Sequence, residues 1–330
     1  MKALINRVLS IVICTIAFAF AANAQQYTTQ LEEKVLPVGE FTSVSVSNDF
    51  EVTLAKGAYN TKVTVDKVLS PYVQVYVRSK TLYITYDEKS VPKDIRKMFK
   101  GRNAPQPHFR ATVYMPQIGG IILSDNATLL ASDEFAGDQV EINLADKSQL
   151  KGLTLIASSI LINTKKNTQA SVNFKADNKI EIITDGNSNL TAMTECNELV
   201  VSAAGNSNVS VNGFCSSTTL SGSGSPQMSI SQKAQKASLQ LGGSTELILT
   251  GEAETLYLKS EKSAKLNANG FDAKTLEADM SGSSKAEVNV SELLDATLVG
   301  GSALYYTGTP VFKIGKVFKS TLAPLGATGK

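Results

Sequence analysis

The sequence predicts an all-β protein built mainly as a β-solenoid, a right-handed parallel β-helix of about ten coils with an N-terminal β-sheet cap. Three observations predict it. From about residue 119 onward a short phrase recurs ten times, every 19 to 21 residues. On both sides of each phrase apolar and polar residues alternate, which is the period of a strand with one face buried. No window carries ten or more residues at helical spacing, and Ser, Thr, Asn and Gly are dense throughout the repeats. A fixed period of this size means stacked units, because one such unit cannot bury its apolar face alone.

The phrase is a turn residue, a small polar residue, a second small residue, a polar residue and an apolar one. Gly186-Asn187-Ser188-Asn189-Leu190 and Gly205-Asn206-Ser207-Asn208-Val209 are clear copies. Its central position runs from Ala127 through Ser148, Ser188 and Ser207 to Ala303. Two residues earlier stand Asp125, Asp146, Lys166, Gly186, Gly205, Gly224, Gly243, Lys262, Gly282 and Gly301. Six glycines in ten predict a backbone with φ > 0, which glycine adopts without steric cost and Asp tolerates better than most. Asn and Ser fill the position between, read as a stack of hydrogen-bonding side chains serving neighbouring backbone. Two residues after the central position the column runs from Leu129 and Leu150 to Tyr305; two further on it runs from Ala131 and Gly152 to Thr307. Six before it stand Ile121, Ile142 and Ile162, continuing to Thr297. Each unit reads as short strand, tight turn, short strand and looser polar return, which fits a β-solenoid better than a leucine-rich repeat. Handedness follows the general habit of parallel crossovers. Coils about 4.8 Å apart make a rod on the order of 45 Å long.

Residues 1–24 read as a secretory signal peptide. Lys2 to Arg7 form a basic start, Val8 to Phe20 an apolar core and Ala22-Asn23-Ala24 a small-residue cleavage site, so Gln25 is the expected first mature residue. The apolar run is too short to span a membrane, and no other stretch approaches the roughly 20 residues a span requires. Cys14 lies inside the apolar core rather than behind it, which argues against lipidation. The chain has 32 Lys and Arg against 30 Asp and Glu, and loss of Lys2 and Arg7 leaves it formally neutral. Neutrality argues against a general affinity for nucleic acid or anionic membrane. The expected location is the periplasm, the outer membrane or the cell surface.

Residues 25–118 form the expected capping region. Phe41 to Ser47, Phe50 to Leu54, Thr61 to Asp66, Val73 to Arg78, Thr81 to Tyr86 and Phe109 to Tyr114 alternate as strands. Such a sheet covers the unpaired backbone that a first coil otherwise exposes. The insertion at 88–107 is long for a link between strands, and two helical turns are expected to begin at Pro92. Lys93, Arg96, Lys97, Lys100 and Arg102, with Lys89 and Arg110 nearby, concentrate positive charge beside Met98 and Phe99. The insertion reads either as the binding element for a polyanionic glycan or acidic partner, or as a solvated link whose Ile95 and Phe99 pack on the sheet.

Residues 119–309 hold the repeats, and 310–330 form a C-terminal cap or tail. There Phe312, Val317, Phe318 and Leu322 are expected to cover the last coil, with Lys313, Lys316 and Lys319 keeping it soluble. Cys196 and Cys215 are 19 residues apart, each eight residues after its central small position. Stacking would bring their Cα atoms to about 4.8 Å, inside the disulfide range, and an exported protein meets an oxidising compartment. The pair reads either as a disulfide or as two unbonded small residues in one stack.

The materials of catalysis are sparse. His108 is the only histidine, so Ser-His triads and paired-histidine metal sites have no second ligand or base. Gly222-Ser223-Gly224 and Gly242-Gly243-Ser244 occupy the turn column and precede no helix, so they are not phosphate loops. Asp125 and Asp146 stack in one column, where a glycan-cleaving β-helix can carry its acids, but glycine takes that position in the four coils that follow Lys166 and both read as turn residues. No catalytic residue, metal site or cofactor is expected.

The strand-rich entry Phe41-Thr42-Ser43-Val44-Ser45-Val46 and Phe50-Glu51-Val52-Thr53-Leu54, then Val113-Tyr114-Met115-Pro116 and the Gly/Ser units, resemble the head GIN domain family. That family is described as auto-transporter adhesins and is common in Bacteroidetes. Ser281-Gly282-Ser283-Ser284 and Gly300-Gly301-Ser302-Ala303 are closest to its repeat style, while Ser124-Asp125-Asn126-Ala127 and Lys165-Lys166-Asn167-Thr168 depart from it. The resemblance covers essentially the whole mature chain. It implies an exported β-helical protein with no established enzyme activity and no catalytic residues to carry over. Residues 310–330 are too short to be a β-barrel translocator. The expected function is therefore non-enzymatic: a scaffold or adhesin-like protein of the envelope that binds a cell-surface glycan or an envelope protein, with homo-oligomers through coil faces or ends compatible with it. The alternative is a polysaccharide-acting lyase or hydrolase on a β-helix.

Overall fold

Alternating sequence becomes strand almost everywhere: the described residues are 67% strand and 4% helix, wound into a β-solenoid of about 11 turns. The computed structural model describes residues 30–326, so the expected signal peptide lies outside the described residues. The chain begins with β1 (Leu31–Leu36), β2 (Ser43–Val46), β3 (Glu51–Lys56), β4 (Asn60–Asp66), β5 (Val73–Arg78) and β6 (Thr81–Tyr86). Helix α1 (Lys93–Met98) precedes β7 (Phe109–Met115), β8 (Gly120–Leu123), β9 (Thr128–Ala131), β10 (Glu134–Ala136) and β11 (Gln139–Leu144). Eight long strands follow: β12 (Gln149–Thr164), β13 (Gln169–Thr184), β14 (Asn189–Ala203), β15 (Asn208–Gly222), β16 (Gln227–Leu241), β17 (Glu246–Ser260), β18 (Lys265–Met280) and β19 (Lys285–Val299). The described chain ends with β20 (Ala303–Thr307), β21 (Val311–Phe318) and β22 (Thr321–Pro324).

Each long strand pairs in parallel with the next, one repeat per coil. The inward columns are those the repeat predicts. Ile121, Ile142, Ile162 and Ile182 are fully buried, as are Ser148, Thr168, Ser188 and Ser207 at the turn. The first and last repeat coils keep the expected looser return, as breaks between β9, β10 and β11 and between β20 and β21. Along β12 to β19 it is absent, because a single strand runs through it from one turn to the next. Its ladder is interrupted only at a bend, as between Lys175 and Lys179 on β13. The physical reason is that stacked coils offer every backbone N–H and C=O of the return a partner, so leaving the ladder would cost hydrogen bonds.

The turn column has φ > 0 throughout its described coils, in two chemistries. Asp125 and Asn126 (φ 50° and 64°), Asp146 and Lys147 (52° and 67°), and Lys166 and Asn167 (58° and 67°) are positive at both central residues, as a type I′ turn requires. From Gly186 (76°) to Gly282 (70°) only the first central residue is positive, the type II′ pattern that favours glycine there. The change from Asp and Lys to Gly in the column is thus a change of turn type. Lys262 (φ 61°) is the exception, a side-chain-bearing residue at a glycine position. Left-handed backbone costs such a residue roughly 1–2 kcal/mol, partly offset by the larger unfolded-state entropy of glycine. Lys262→Gly should therefore raise stability by roughly 0.5–1 kcal/mol in urea unfolding, and no gain would show that the turn relaxes around the lysine.

Column membership shifts from the expected one at two places, on β12 and in the last coil. Gly152 (φ 73°) forms a bulge on β12, and Leu153 takes the inward place opposite Val172. In the last coil Ala303 pairs with Lys285, so buried Leu304, and not Tyr305, continues the column of Ala286, and Ala296 rather than Thr297 continues that of Ala278.

The stack also starts a coil before the repeat becomes legible. β2 pairs in parallel with β8 and β3 with β9, across an Asn48-Asp49 turn with φ of 59° and 60°. This coil lies within the stretch read from sequence as cap. Beyond it β6 and β7 add parallel strands, and then β5, β4 and β1 pair antiparallel, closing that end. At the other end β21 and β22 stay parallel. Phe312 and Val317 are in register with Leu294 and Leu298. Their own outer side meets no further strand among the described residues, and every residue of β21 is exposed.

Candidate binding surface

The 88–107 insertion is held at three points. Val91 is buried, and Ile95 and Phe99 pack against the core from either end of α1. Where the insertion rejoins the sheet, the fully buried Asp66 carboxylate accepts the His108 backbone N–H at 2.7 Å, with His108 Nδ1 at 3.4 Å from its other oxygen. At the start of the insertion Asp87 accepts both the Ser90 hydroxyl (2.6 Å) and its N–H (3.3 Å), and these bonds hold the Asp87 carboxyl below its ordinary pKa. The packing expected of a solvated link is therefore present, and it fixes the helix in place.

The same packing turns the cations outward. Lys93, Lys97, Lys100 and Arg102 are exposed and Arg96 is half-buried. Arg96 lies near the Tyr86 phenol, whose pKa is pushed up by burial and then by Glu88, with Arg96 opposing. Arg110 pairs with Glu51 at 3.3 Å, but among the described residues none of the five cations has a carboxylate within 4.0 Å. Arginine forks and lysine ammonium groups left free in this way suit sulfate, phosphate or carboxylate groups on a ligand.

Asp125 and Asp146 occupy the turns, as the column predicts. Asp125 accepts the Ser124 hydroxyl at 2.9 Å, and Asp146 pairs with Lys166 at 3.1 Å. Asn48 of the first coil continues their column, and Asp49 beside it accepts the Asn126 amide at 2.9 Å, over a shallow trough of about 680 Å³. Asp49, Asp125 and Asp146 each have a structural partner. The asparagine column is a side-chain ladder, Asn187 donating to Asn167 (3.1 Å) and Asn206 to Asn187 (3.4 Å), so its partners are one another rather than the backbone. Among the described residues no group of three or more His, Cys, Asp or Glu could hold a metal ion, and no helix is long and apolar enough to cross a membrane. Cys196 and Cys215 are in register on β14 and β15, buried, with their sulfurs 2.6 Å apart.

Sequence reasoning pointed to the coil faces but named no residue on them. A trough of about 400 Å³ surrounds Ile248, between the Lys265–Glu246 (2.8 Å) and Lys285–Glu287 (2.7 Å) pairs. On the same sheet Phe214 interrupts a column of ion pairs, Lys175–Glu195 at 2.7 Å on one side and Lys233–Glu252 at 3.2 Å on the other. The legible signal was an apolar residue in an outward column: Ile248 follows Ser210 and Ser229, and Phe214 stands among charges.

The sequence pattern of the family described as "Putative auto-transporter adhesin, head GIN domain" matches residues 40–212 and 216–310. Among solved structures, a "putative lipid binding protein" from Parabacteroides distasonis ATCC 8503 is 16% identical, covering 90% of this chain and 98% of its own, with a TM-score of 0.39. A "putative adhesin" from the same organism is 17% identical with the same coverage and a TM-score of 0.37. A "putative adhesin" from Parabacteroides merdae ATCC 43184 is 18% identical, covering 90% and 97%, with a TM-score of 0.34. No curated protein matches the chain.

Proposed function

The chain belongs to the head GIN domain family of auto-transporter adhesins, and on that premise we propose that it is a non-enzymatic exported envelope protein that binds an anionic cell-surface glycan through its basic insertion. The observation that carries this reading is the set of five cations on an insertion held by Val91, Ile95, Phe99 and Asp66, none with a carboxylate partner among the described residues. A fixed helix loses little conformational freedom when a ligand docks, and its free cations need break no ion pair first. The solenoid acts as a rigid stem, with the first coil and its antiparallel end, the repeats and the C-terminal coil as successive parts. The enzyme alternative is disfavoured because Asp125 and Asp146 already serve the turns and Asp146 is paired with Lys166.

Heparin, a soluble sulfated polyanion, is the probe. The combined variant Lys93→Gln, Arg96→Gln, Lys97→Gln, Lys100→Gln, Arg102→Gln should bind it at least about tenfold more weakly near physiological salt. It should also show a shallower dependence of affinity on salt, as loss of charge–charge contacts requires. The fold should survive, because four of the five side chains are exposed. Unchanged heparin binding in the variant, or none in the parent, would remove the insertion as the binding element. Turnover of a glycan panel lost on Asp125→Ala with Asp146→Ala would instead restore the enzyme.

A further inference from the structure

We propose that Cys196 and Cys215 form an inter-coil disulfide that staples the middle of the solenoid where its core is thinnest. Lys175, Glu195, Phe214 and Lys233 are mutually in register, so the next residues, Ala176, Cys196, Cys215 and Ala234, share one position just before the bend. Further along the stack that position holds Ala253 and Ala273, and before it Ala157. Two cysteines thus stand side by side in a column that alanine otherwise fills from Ala157 to Ala273. Their thiols are unbonded and face each other, and their register on adjacent strands about 4.8 Å apart puts their Cα atoms inside the disulfide range.

The neighbouring inward column says why a staple matters here. It runs Phe174, Thr194, Gly213, Gln232, Gly251, Phe271, so four successive coils between two phenylalanines supply no large apolar side chain. Gln232 is 2% exposed, donates to the Thr194 hydroxyl at 3.3 Å and leaves its carbonyl oxygen unpartnered. In a stacked repeat each coil is held by its neighbours alone, so a weak interface in the middle lets the rod open in two halves. A covalent link between β14 and β15 spans that interface.

The oxidant is a disulfide of an exported oxidoreductase or a small-molecule disulfide. One cysteine thiolate attacks it, forming a mixed disulfide and releasing one thiol. The second attacks the protein sulfur of that mixed disulfide and expels the other thiol, so two protons and two electrons leave and one S–S bond forms. The hydrogen bond shared between the two sulfurs favours the thiolate at Cys215 and holds Cys196 protonated, with burial adding to the latter. Closure therefore belongs to folding, before both sulfurs are buried.

The full chain, expressed with its own N-terminus and lysed into N-ethylmaleimide, tests this. After unfolding without reductant, Cys196 and Cys215 should carry no adduct in the peptide map, and after reduction both should react. Reductant should lower the melting temperature by roughly 5–10 °C. The Cys196→Ala with Cys215→Ala variant, which restores the alanine of the column, should fold, melt at the reduced value and ignore reductant. Adducts on both cysteines in unreduced protein would overturn the bond. A bond whose reduction leaves melting unchanged would overturn its role as a staple.

Discussion

Gly251→Ala should destabilise the protein by roughly 3–5 kcal/mol, lowering its melting temperature by roughly 6–15 °C. Two independent demands meet at this residue. Its φ is +119°, a conformation that residues bearing a Cβ rarely adopt, and such strain costs of order 1–3 kcal/mol. A Cβ built there would also lie 1.9 Å from the Gln232 carbonyl oxygen and 2.8 Å from its carbon. Those atoms are backbone of the coil beneath, so no side chain can swing away, and the ladder between β16 and β17 must part locally. Overpacking of that kind adds about 1–3 kcal/mol. Gly39→Ala is the control, since nothing lies within 4 Å of its built Cβ, and it should change stability by less than about 0.5 kcal/mol. A Gly251→Ala protein that melts with its parent would mean that β16 and β17 are not stacked as described.

That glycine also marks the limit of what the repeat could reveal. The turn glycines were legible because they recur in one column, and a column of Asp, Lys and Gly has few explanations besides φ > 0. Gly213 and Gly251 recur only twice, inside strands, and their reason is the closeness of the coil beneath, which no single repeat displays. The first coil was hidden for a similar cause. Ser47-Asn48-Asp49-Phe50 has the turn chemistry of Ser124-Asp125-Asn126-Ala127 but follows another spacing, because β4 to β7 intervene before the next coil. The slip at Ala303 arose because Gly300 and Gly301 both have positive φ, at 75° and 93°, and either could be aligned to the turn.

The basic insertion was legible as charge, whereas its anchoring was only half legible. Ile95 and Phe99 announce packing by their apolar character and helical spacing. Asp66 does not announce itself as the carboxylate that accepts from His108, because the two are 42 residues apart and meet only when β4 pairs with β7. The side-face residues were invisible for the opposite reason. A lone outward Ile248 or Phe214 is ordinary in a soluble protein, and becomes notable only when its neighbours in the adjacent coils are known to be polar or ion-paired.

The second large effect expected is at Phe271, where substitution by alanine should cost roughly 3–5 kcal/mol at 25 °C. The side chain is 1% exposed and closes the far end of the thin stretch of core. The cost of a large-to-small change depends on how far the surroundings can collapse into the space left behind. Here the residue in register on the coil beneath is Gly251, which has no side chain to move into it, and the coil beyond is Gln232, whose carbonyl already lacks a partner. Collapse is therefore limited, and the cost should fall in the upper part of the range. Phe214→Ala provides the contrast within the same sheet: that ring is 56% exposed, so its loss should cost less than about 0.5 kcal/mol. Urea unfolding with unchanged m-value reads both. Because an apolar void of this kind stays dry and admits small apolar molecules, benzene should restore part of the stability lost in Phe271→Ala and none in Phe214→Ala. Equal costs for the two phenylalanines would show that the thin stretch is already open to water, and the gap between Phe174 and Phe271 would then be a channel through the stack rather than a weak part of its core.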